Sequence, residues 1–327
     1  MIWLFLASVT LTVISSYVLA HALDRLGARL GFSEGLMGLL NALGANAPEI
    51  SAAVTALLAH NRDVGVGVVI GSNIFNLAAL MGLSAAIAGQ VRISRSGLAL
   101  NGSVALAVTV VLLAMLWESI GPGASLVIMG VIMCPYVVLM ALRPHQVKRL
   151  IPTHWARSFL AGALEHAHRD ARTGQTPRRA VWIDFMSIIP ALASIVLGSV
   201  RMVKSAILLG GRWGISDAVV GTLVLATLTS LPNALTAIRL ALHKRGSVVV
   251  SETFNSNTLN IIAGICVPAF VIGLGKPSQL TLASTYWLLG LTVFTLLLTW
   301  TGRGLRRREG LAIIGVYALF AAWIIRR

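Results

Sequence analysis

Long apolar runs alternate with short polar breaks from one end of the chain to the other. Most of these runs reach the roughly 20 residues that a helix needs to cross a bilayer. Ten are visible, at 2–22, 34–59, 64–89, 97–117, 123–142, 182–200, 214–242, 247–273, 281–300 and 309–325. The pattern predicts an all-α polytopic membrane protein with ten transmembrane helices. No basic residues precede the first run, so we expect it to be the first helix and not a signal peptide.

One long polar stretch interrupts this pattern and divides the chain into halves. It predicts a first five-helix repeat over 1–142, a basic loop over 143–181 and a second five-helix repeat over 182–327. The loop carries eight basic residues: Arg143, Lys148, Arg149, Arg157, Arg169, Arg172, Arg178 and Arg179.

Charge adds an orientation to this layout. The 327-residue chain is 57% hydrophobic and 11% charged, with a net charge of +15. In a soluble protein that charge would suggest a nucleic-acid partner, but in a membrane protein it is typical of basic cytoplasmic loops. An outside N-terminus places 18 basic residues on the cytoplasmic side and seven on the other. We therefore expect both termini outside, the lipid bilayer as surroundings and no nucleic-acid partner.

The two halves contain related segments. "LGFSEGLMGLLNALGANAPEISAAVTALL" and "WGISDAVVGTLVLATLTSLPNALTAIRLA" share Gly and Ser positions at an offset of 183 and a proline at 184. The next segments, "VGVVIGSNIFN" (66–76) and "VSETFNSNTLN" (250–260), also align at 184. Because each half has an odd number of helices, the second copy enters the membrane from the opposite side. Inverted repeats of this kind are typical of secondary transporters, whose ion site lies at the midplane.

Two acids, Glu49 and Glu252, fall inside apolar runs, where a charge is costly and indicates function. Pro48 and Pro232 each lack an N–H and are expected to disturb their helices and free backbone carbonyls. Carboxylate, amide, hydroxyl and carbonyl oxygens are what a hard cation binds. The alternative for the neutral residues is hydrogen bonding between helices. Our candidate ligands are Glu49, Glu252, Asn233, Asn46, Ser72, Asn73, Thr229, Ser230, Ser256 and Asn257.

These motifs resemble those of the sodium/calcium exchanger (cation/calcium antiporter) superfamily. "GANAPE" and "LTSLPN" stand in place of that family's G-T-S-L-P-E, and "GVVIGSNIFN" is close to its G-(N/D)-x-x-G-S-N-x-x-N. The resemblance implies ten helices in two inverted halves and four central ion positions, here Glu49, Asn233, Val68 and Glu252. Asn233 and Val68 depart from the family pattern, which leaves two carboxylates.

The resemblance implies an antiporter of a bacterial or archaeal plasma membrane. We expect calcium to exchange against sodium by alternating access at a carboxylate site. Two alternatives remain open: proton coupling or another divalent cargo, and a non-transporting sensor or scaffold on the same fold. No catalytic constellation is visible, so we predict neither an enzyme nor a cofactor. The transported ions that we expect are calcium, sodium or protons.

Overall fold

The computed structural model describes residues 1–30, 32, 34–141, 181–302 and 304–327, so the predicted basic loop lies almost wholly outside the described residues. The first half holds α1 (Ile2–Arg29), α2 (Glu34–Ala45), α3 (Ala47–Leu58), α4 (Arg62–Asn76), π1 (Leu77–Leu83), α5 (Ser84–Ala88), β1 (Gln90–Arg92), α6 (Arg95–Leu116) and α7 (Pro122–Ala141). The second holds α8 (Val181–Trp213), α9 (Asp217–Val219), π2 (Val220–Leu225), α10 (Ala226–Leu242), α11 (Gly246–Ile261), π3 (Ile262–Cys266), α12 (Val267–Ile272), α13 (Gln279–Gly302), β2 (Gly304–Arg306) and α14 (Arg307–Ile325).

The prediction of an all-helical membrane protein in two halves is confirmed. In the described part of the chain, nine helices are long and apolar enough to cross a membrane. The predicted second helix is instead a pair of short apolar helices, α2 and α3, that follow each other directly. The count of ten therefore holds only if this broken pair is taken as one crossing. The two three-residue strands, β1 and β2, pair antiparallel and were not predicted.

The two prolines act differently from each other. The first helix pair breaks at Asn46, and Pro48 lies in the first turn of α3, where its missing N–H costs nothing. In the second half, α10 continues as a helix through Pro232, so the predicted break there is wrong. The irregular turn of this helix lies earlier, in π2.

The chain turns fall into two groups at opposite ends of the bundle. At one end, Asn61 Nδ2 donates to Asp217 Oδ2 at 3.0 Å, and Thr281 Oγ1 donates to Asp63 Oδ1 at 2.8 Å. We call this end the Asp63 face. At the other end, β1 pairs with β2 beside the start of α11, and we call it the Arg92 face. In the second half, the turns that precede α9, α11, α13 and α14 alternate between the two faces, as repeated membrane crossing requires.

The centre of the bundle is the continuous helical run Arg62–Ala88. In its most apolar stretch 94% of the residues are buried, against 28% for the outer helix Pro122–Ala141. Its counterpart in the second half, Gly246–Ile272, is 61% buried. The runs that carry the repeated motifs are thus surrounded by other helices, while outer helices present apolar side chains outward.

Candidate cation site

Glu49 lies at the centre of a cluster contributed by both repeats. Its side chain is fully buried, and its Oε1 accepts hydrogen bonds from Ser230 Oγ at 2.9 Å and from Asn233 Nδ2 at 3.3 Å. Asn233 Nδ2 also donates to Asn46 Oδ1 at 2.8 Å. Four of the predicted ligands therefore converge, from the α2–α3 break on one side and from α10 on the other.

The local sequence explains why Glu49 occupies this place. Because Pro48 cannot donate an N–H to the preceding turn, the helix ends at Ala45 and restarts at Ala47. The restart puts Glu49 in the first turn of α3, where the helix dipole favours a negative charge. Ser16 of α1 donates to the freed carbonyls of Gly44 at 3.1 Å and Ala45 at 3.3 Å.

A second cluster joins α4 to α11 through four asparagines. Asn73 Nδ2 donates to the Asn257 carbonyl at 3.0 Å, and Asn257 Nδ2 donates to the Asn73 carbonyl at 3.1 Å. Asn76 Nδ2 donates to Asn257 Oδ1 and Asn260 Nδ2 donates to Asn73 Oδ1, each at 3.1 Å. The bonds are reciprocal, as expected of two copies related by an inverted repeat. Asn73 and Asn257 thus each use both their amide nitrogen and their amide oxygen in hydrogen bonds within the protein.

The two clusters lie in the same part of the molecule. A Cβ built on Gly264, in π3 just after Asn260, would lie 3.7 Å from the Ala53 Cβ and 3.9 Å from the Cα of Ile50. Ile50 follows Glu49 directly, and Gly264 is about one helical turn from Asn260. The second repeat therefore brings its asparagine helix against the helix that carries Glu49.

Several buried oxygens in these clusters have no hydrogen-bond partner among the described residues: Glu49 Oε2, Asn76 Oδ1, Asn260 Oδ1 and Ser256 Oγ. Leaving a buried polar atom unpaired costs roughly 1–3 kcal/mol, and native proteins seldom do so without a reason. Carboxylate and amide oxygens are also ligands of sodium and calcium. This set of oxygen ligands therefore fits a hard cation as substrate.

Other predicted ligands are engaged elsewhere. Thr229 Oγ1 donates to the Leu225 carbonyl at 2.9 Å, and Ser72 Oγ donates to the Val69 carbonyl at 3.1 Å. Glu252 is half-buried, and the charge that acts on its carboxylate is Arg245, near the Arg92 face. It lies eight residues before Asn260, or about 12 Å along the helix. Among the described residues, no hydrogen bond links Glu252 to Glu49.

The structure adds Asn76 and Asn260 as candidate ligands, which our sequence-based set omitted. The signal was present, because the two residues pair at an offset of 184 and Asn76 shares a helix face with Ser72. Val68, by contrast, is a fully buried apolar residue and supplies no side-chain oxygen.

Inverted repeats, a helix broken beside an acid and buried unpaired oxygens define a membrane carrier for cations. Comparison with known proteins identifies the family within this class. The sodium/calcium exchanger protein family model matches residues 1–143 and 184–326, and the chain belongs to this family.

Two similar proteins span most of the chain. The "Inner membrane protein YrbG" of Escherichia coli (strain K12) is 27% identical over 273 residues, which is 82% of this chain and 79% of that protein. The "Sodium/calcium exchanger MaX1" of Methanosarcina acetivorans is 24% identical over 337 residues, covering 97% of this chain and 96% of the relative. An integral membrane location follows from these relatives and from the long apolar helices.

Solved structures share the fold. The H+/Ca2+ exchanger CAX superposes with a TM-score of 0.74 at 14% identity, over 99% of this chain and 85% of that one. The sodium-calcium exchanger NCX_Mj superposes with a TM-score of 0.61 at 20% identity, over 98% and 97%. One of these neighbours is named for protons and the other for sodium, so the likeness leaves the driving ion open.

Proposed function

We propose that this chain is a secondary antiporter that exchanges calcium for sodium across the plasma membrane, with Glu49 as the charged ligand of the transported ion. The observation that carries the proposal is the buried, unpaired Oε2 of Glu49, which lies in the same part of the molecule as the buried, unpaired amide oxygens of Asn76 and Asn260. A buried carboxylate without a counter-charge is costly. The described neighbours of Glu49 supply hydroxyl and amide dipoles but no positive charge.

The residues around Glu49 have distinct roles in this proposal. Ser230 and Asn233 hold Oε1 and so aim Oε2 at the ion. Asn76 and Asn260 contribute one amide oxygen from each repeat, because their amide nitrogens are fixed by the opposite repeat. In the occluded state, either ion must neutralise the same carboxylate. That requirement couples the entry of one ion to the exit of the other.

A proton as the driving ion is the second candidate, and the number of acids favours it. In the described clusters Glu49 is the single carboxylate, since Asn233 stands where the family has an acid and Glu252 lies about 12 Å away along α11 from Asn260. One proton neutralises one carboxylate. Proton coupling therefore needs no further ligands.

Purified protein in proteoliposomes tests both candidates. Radiolabelled calcium uptake is measured under an imposed outward sodium gradient at equal pH, and separately under a pH gradient without sodium. We expect uptake in the sodium arm; uptake confined to the pH arm would select the proton. Calcium binding without flux in either arm would contradict antiport and leave a sensor or scaffold.

Glu49→Gln removes the proposed charge and should abolish uptake. Glu118→Gln is a matched control, because Glu118 is an exposed acid paired with Lys276 at 3.9 Å on the Asp63 face. It should transport like the parent. Equal loss in both variants would contradict the assignment of Glu49.

A further inference from the structure

The inverted repeat relates two helix crossings that differ in how closely the backbones approach. We call the first the α4–π2 crossing and the second the α2–α11 crossing. At the α4–π2 crossing, a Cβ on Gly71 would overlap the carbonyl oxygen of Thr222, and one on Gly221 would lie 2.5 Å from the Val64 carbonyl oxygen. Only glycine permits backbones to approach this closely. The close approach of α4 and π2 closes the bundle towards the Asp63 face.

The α2–α11 crossing is open at the equivalent place. Gly38 corresponds to Gly221 at the offset of 183, and a Cβ on Gly38 would meet no atom within 4 Å. Asn255 corresponds to Gly71 at the offset of 184. The second repeat thus places an asparagine side chain on α11 where the first repeat has a glycine.

The side chain of Asn255 is held in a buried network. The Tyr136 hydroxyl of α7 lies 2.6 Å from Asn101 Oδ1 and 2.5 Å from Asn255 Oδ1. Asn101 Nδ2 donates to Ser251 Oγ of α11 at 3.3 Å. The Tyr136 side chain also packs with Leu39 of α2 in one apolar cluster. Tyr136 therefore shares an apolar cluster with Leu39 of α2 and is tied through its hydroxyl to Asn255 of α11.

We propose that Asn255 and Tyr136 are positioning residues of the transport cycle, and this inference rests on the antiport proposed above. They hold α2 away from α11, so that the site around Glu49 is loaded from the Arg92 face. Closure of this face requires α2 to approach α11 as closely as π2 approaches α4. An asparagine tied to a tyrosine fills the space that such an approach needs, and a glycine leaves that space free.

Thiol labelling at Gly38 measures this crossing without requiring transport. Gly38→Cys is made in a Cys134→Ala, Cys266→Ala background, and the purified protein is labelled with a charged maleimide in chelator without sodium. We expect ready labelling in this parent. Asn255→Gly should slow labelling severalfold, because removing this side chain shifts the population from the open towards the closed state. Tyr136→Phe, which removes the hydroxyl and keeps the ring, should slow it by a smaller factor.

Tyr317→Phe is the matched control, because its hydroxyl lies 3.3 Å from Thr227 Oγ1, away from this crossing. It should label like the parent. A Gly38→Cys thiol that resists labelling in the parent, or that labels equally fast in Asn255→Gly, would overturn the inference even if calcium flux is normal. Slower labelling in vesicles that show no flux would support the inference while the proposed antiport failed.

Discussion

The two inverted repeats share their motifs but differ in packing. Where α4 crosses π2, glycines bring backbone against backbone, and the run Arg62–Ala88 is 94% buried in its most apolar stretch. Where α11 crosses α2, the corresponding glycine of α2 has open space around it, and the run Gly246–Ile272 is 61% buried. Between these crossings, the asparagine cluster is nearly symmetric. The comparison teaches that one topology can bring backbones into contact at one crossing and keep them apart at its counterpart through a few side chains.

The largest expected effect concerns the charged residue that only the first repeat supplies. Glu49→Gln should reduce calcium affinity more than tenfold, because losing one side of a buried charge contact costs about 2–5 kcal/mol. Asn233→Ala, at the equivalent position of the second repeat, should cost less, since it removes a neutral dipole. Calorimetric titration of both variants with calcium measures the difference. Equal losses of calcium affinity in the two variants would show that the two repeats contribute equally to calcium binding.

The next effect separates the two crossings directly. Gly71→Ala should destabilise the protein by about 1–3 kcal/mol, because a methyl group at this position overlaps backbone and cannot be relieved by a rotamer change. Gly38→Ala should be neutral or stabilising by up to about 1 kcal/mol, since alanine favours a helix. Thermal unfolding in detergent compares the two. A fall in the midpoint for Gly38→Ala as large as for Gly71→Ala would refute the asymmetry.

A smaller effect tests the symmetry of the centre. Asn73→Ala and Asn257→Ala each remove one member of the reciprocal pair and leave polar groups of the other unpaired. Each should lower stability by about 1–3 kcal/mol, and the two losses should agree closely. Their unfolding midpoints are the measurement. Markedly unequal midpoints would mean that the centre is as asymmetric as the crossings.

The smallest effect is expected at the closed face. Asn61 accepts a hydrogen bond from the Val64 N–H at the start of α4 and donates to Asp217 of the second repeat. Asn61→Ala should cost about 1 kcal/mol, mainly from the lost helix cap. Asn61→Ser keeps a neutral capping oxygen and loses the amide donor to Asp217, so it separates the two contributions in the same unfolding assay. A loss of stability in Asn61→Ser as large as in Asn61→Ala would give the link between repeats the greater weight.

Sequence reasoning predicted most of the architecture and only part of the site. The apolar segments and the offset of 183–184 indicated two related helical halves, and the chain shows them. The sequence-based prediction of a helix break at the second proline was wrong, because a proline can be accommodated within a membrane helix, as Pro232 is in α10. Sequence reasoning also placed Glu49 and Glu252 in one set of candidate ligands, whereas Glu252 lies nearer the Arg92 face. Spacing along one helix says nothing about distance between two helices.

By itself the sequence determined the membrane-embedded class, the inverted repeat and the position of a buried acid beside a helix break. These features are local or periodic, and the bilayer makes them obligatory, because unpaired backbone and charge are costly in hydrocarbon. Only the tertiary structure decided that Ser230 and Asn233 hold Glu49, that Glu252 lies nearer the Arg92 face, and that one crossing is closed. Those facts depend on how side chains of distant segments fit together, and a single glycine or asparagine changes that fit.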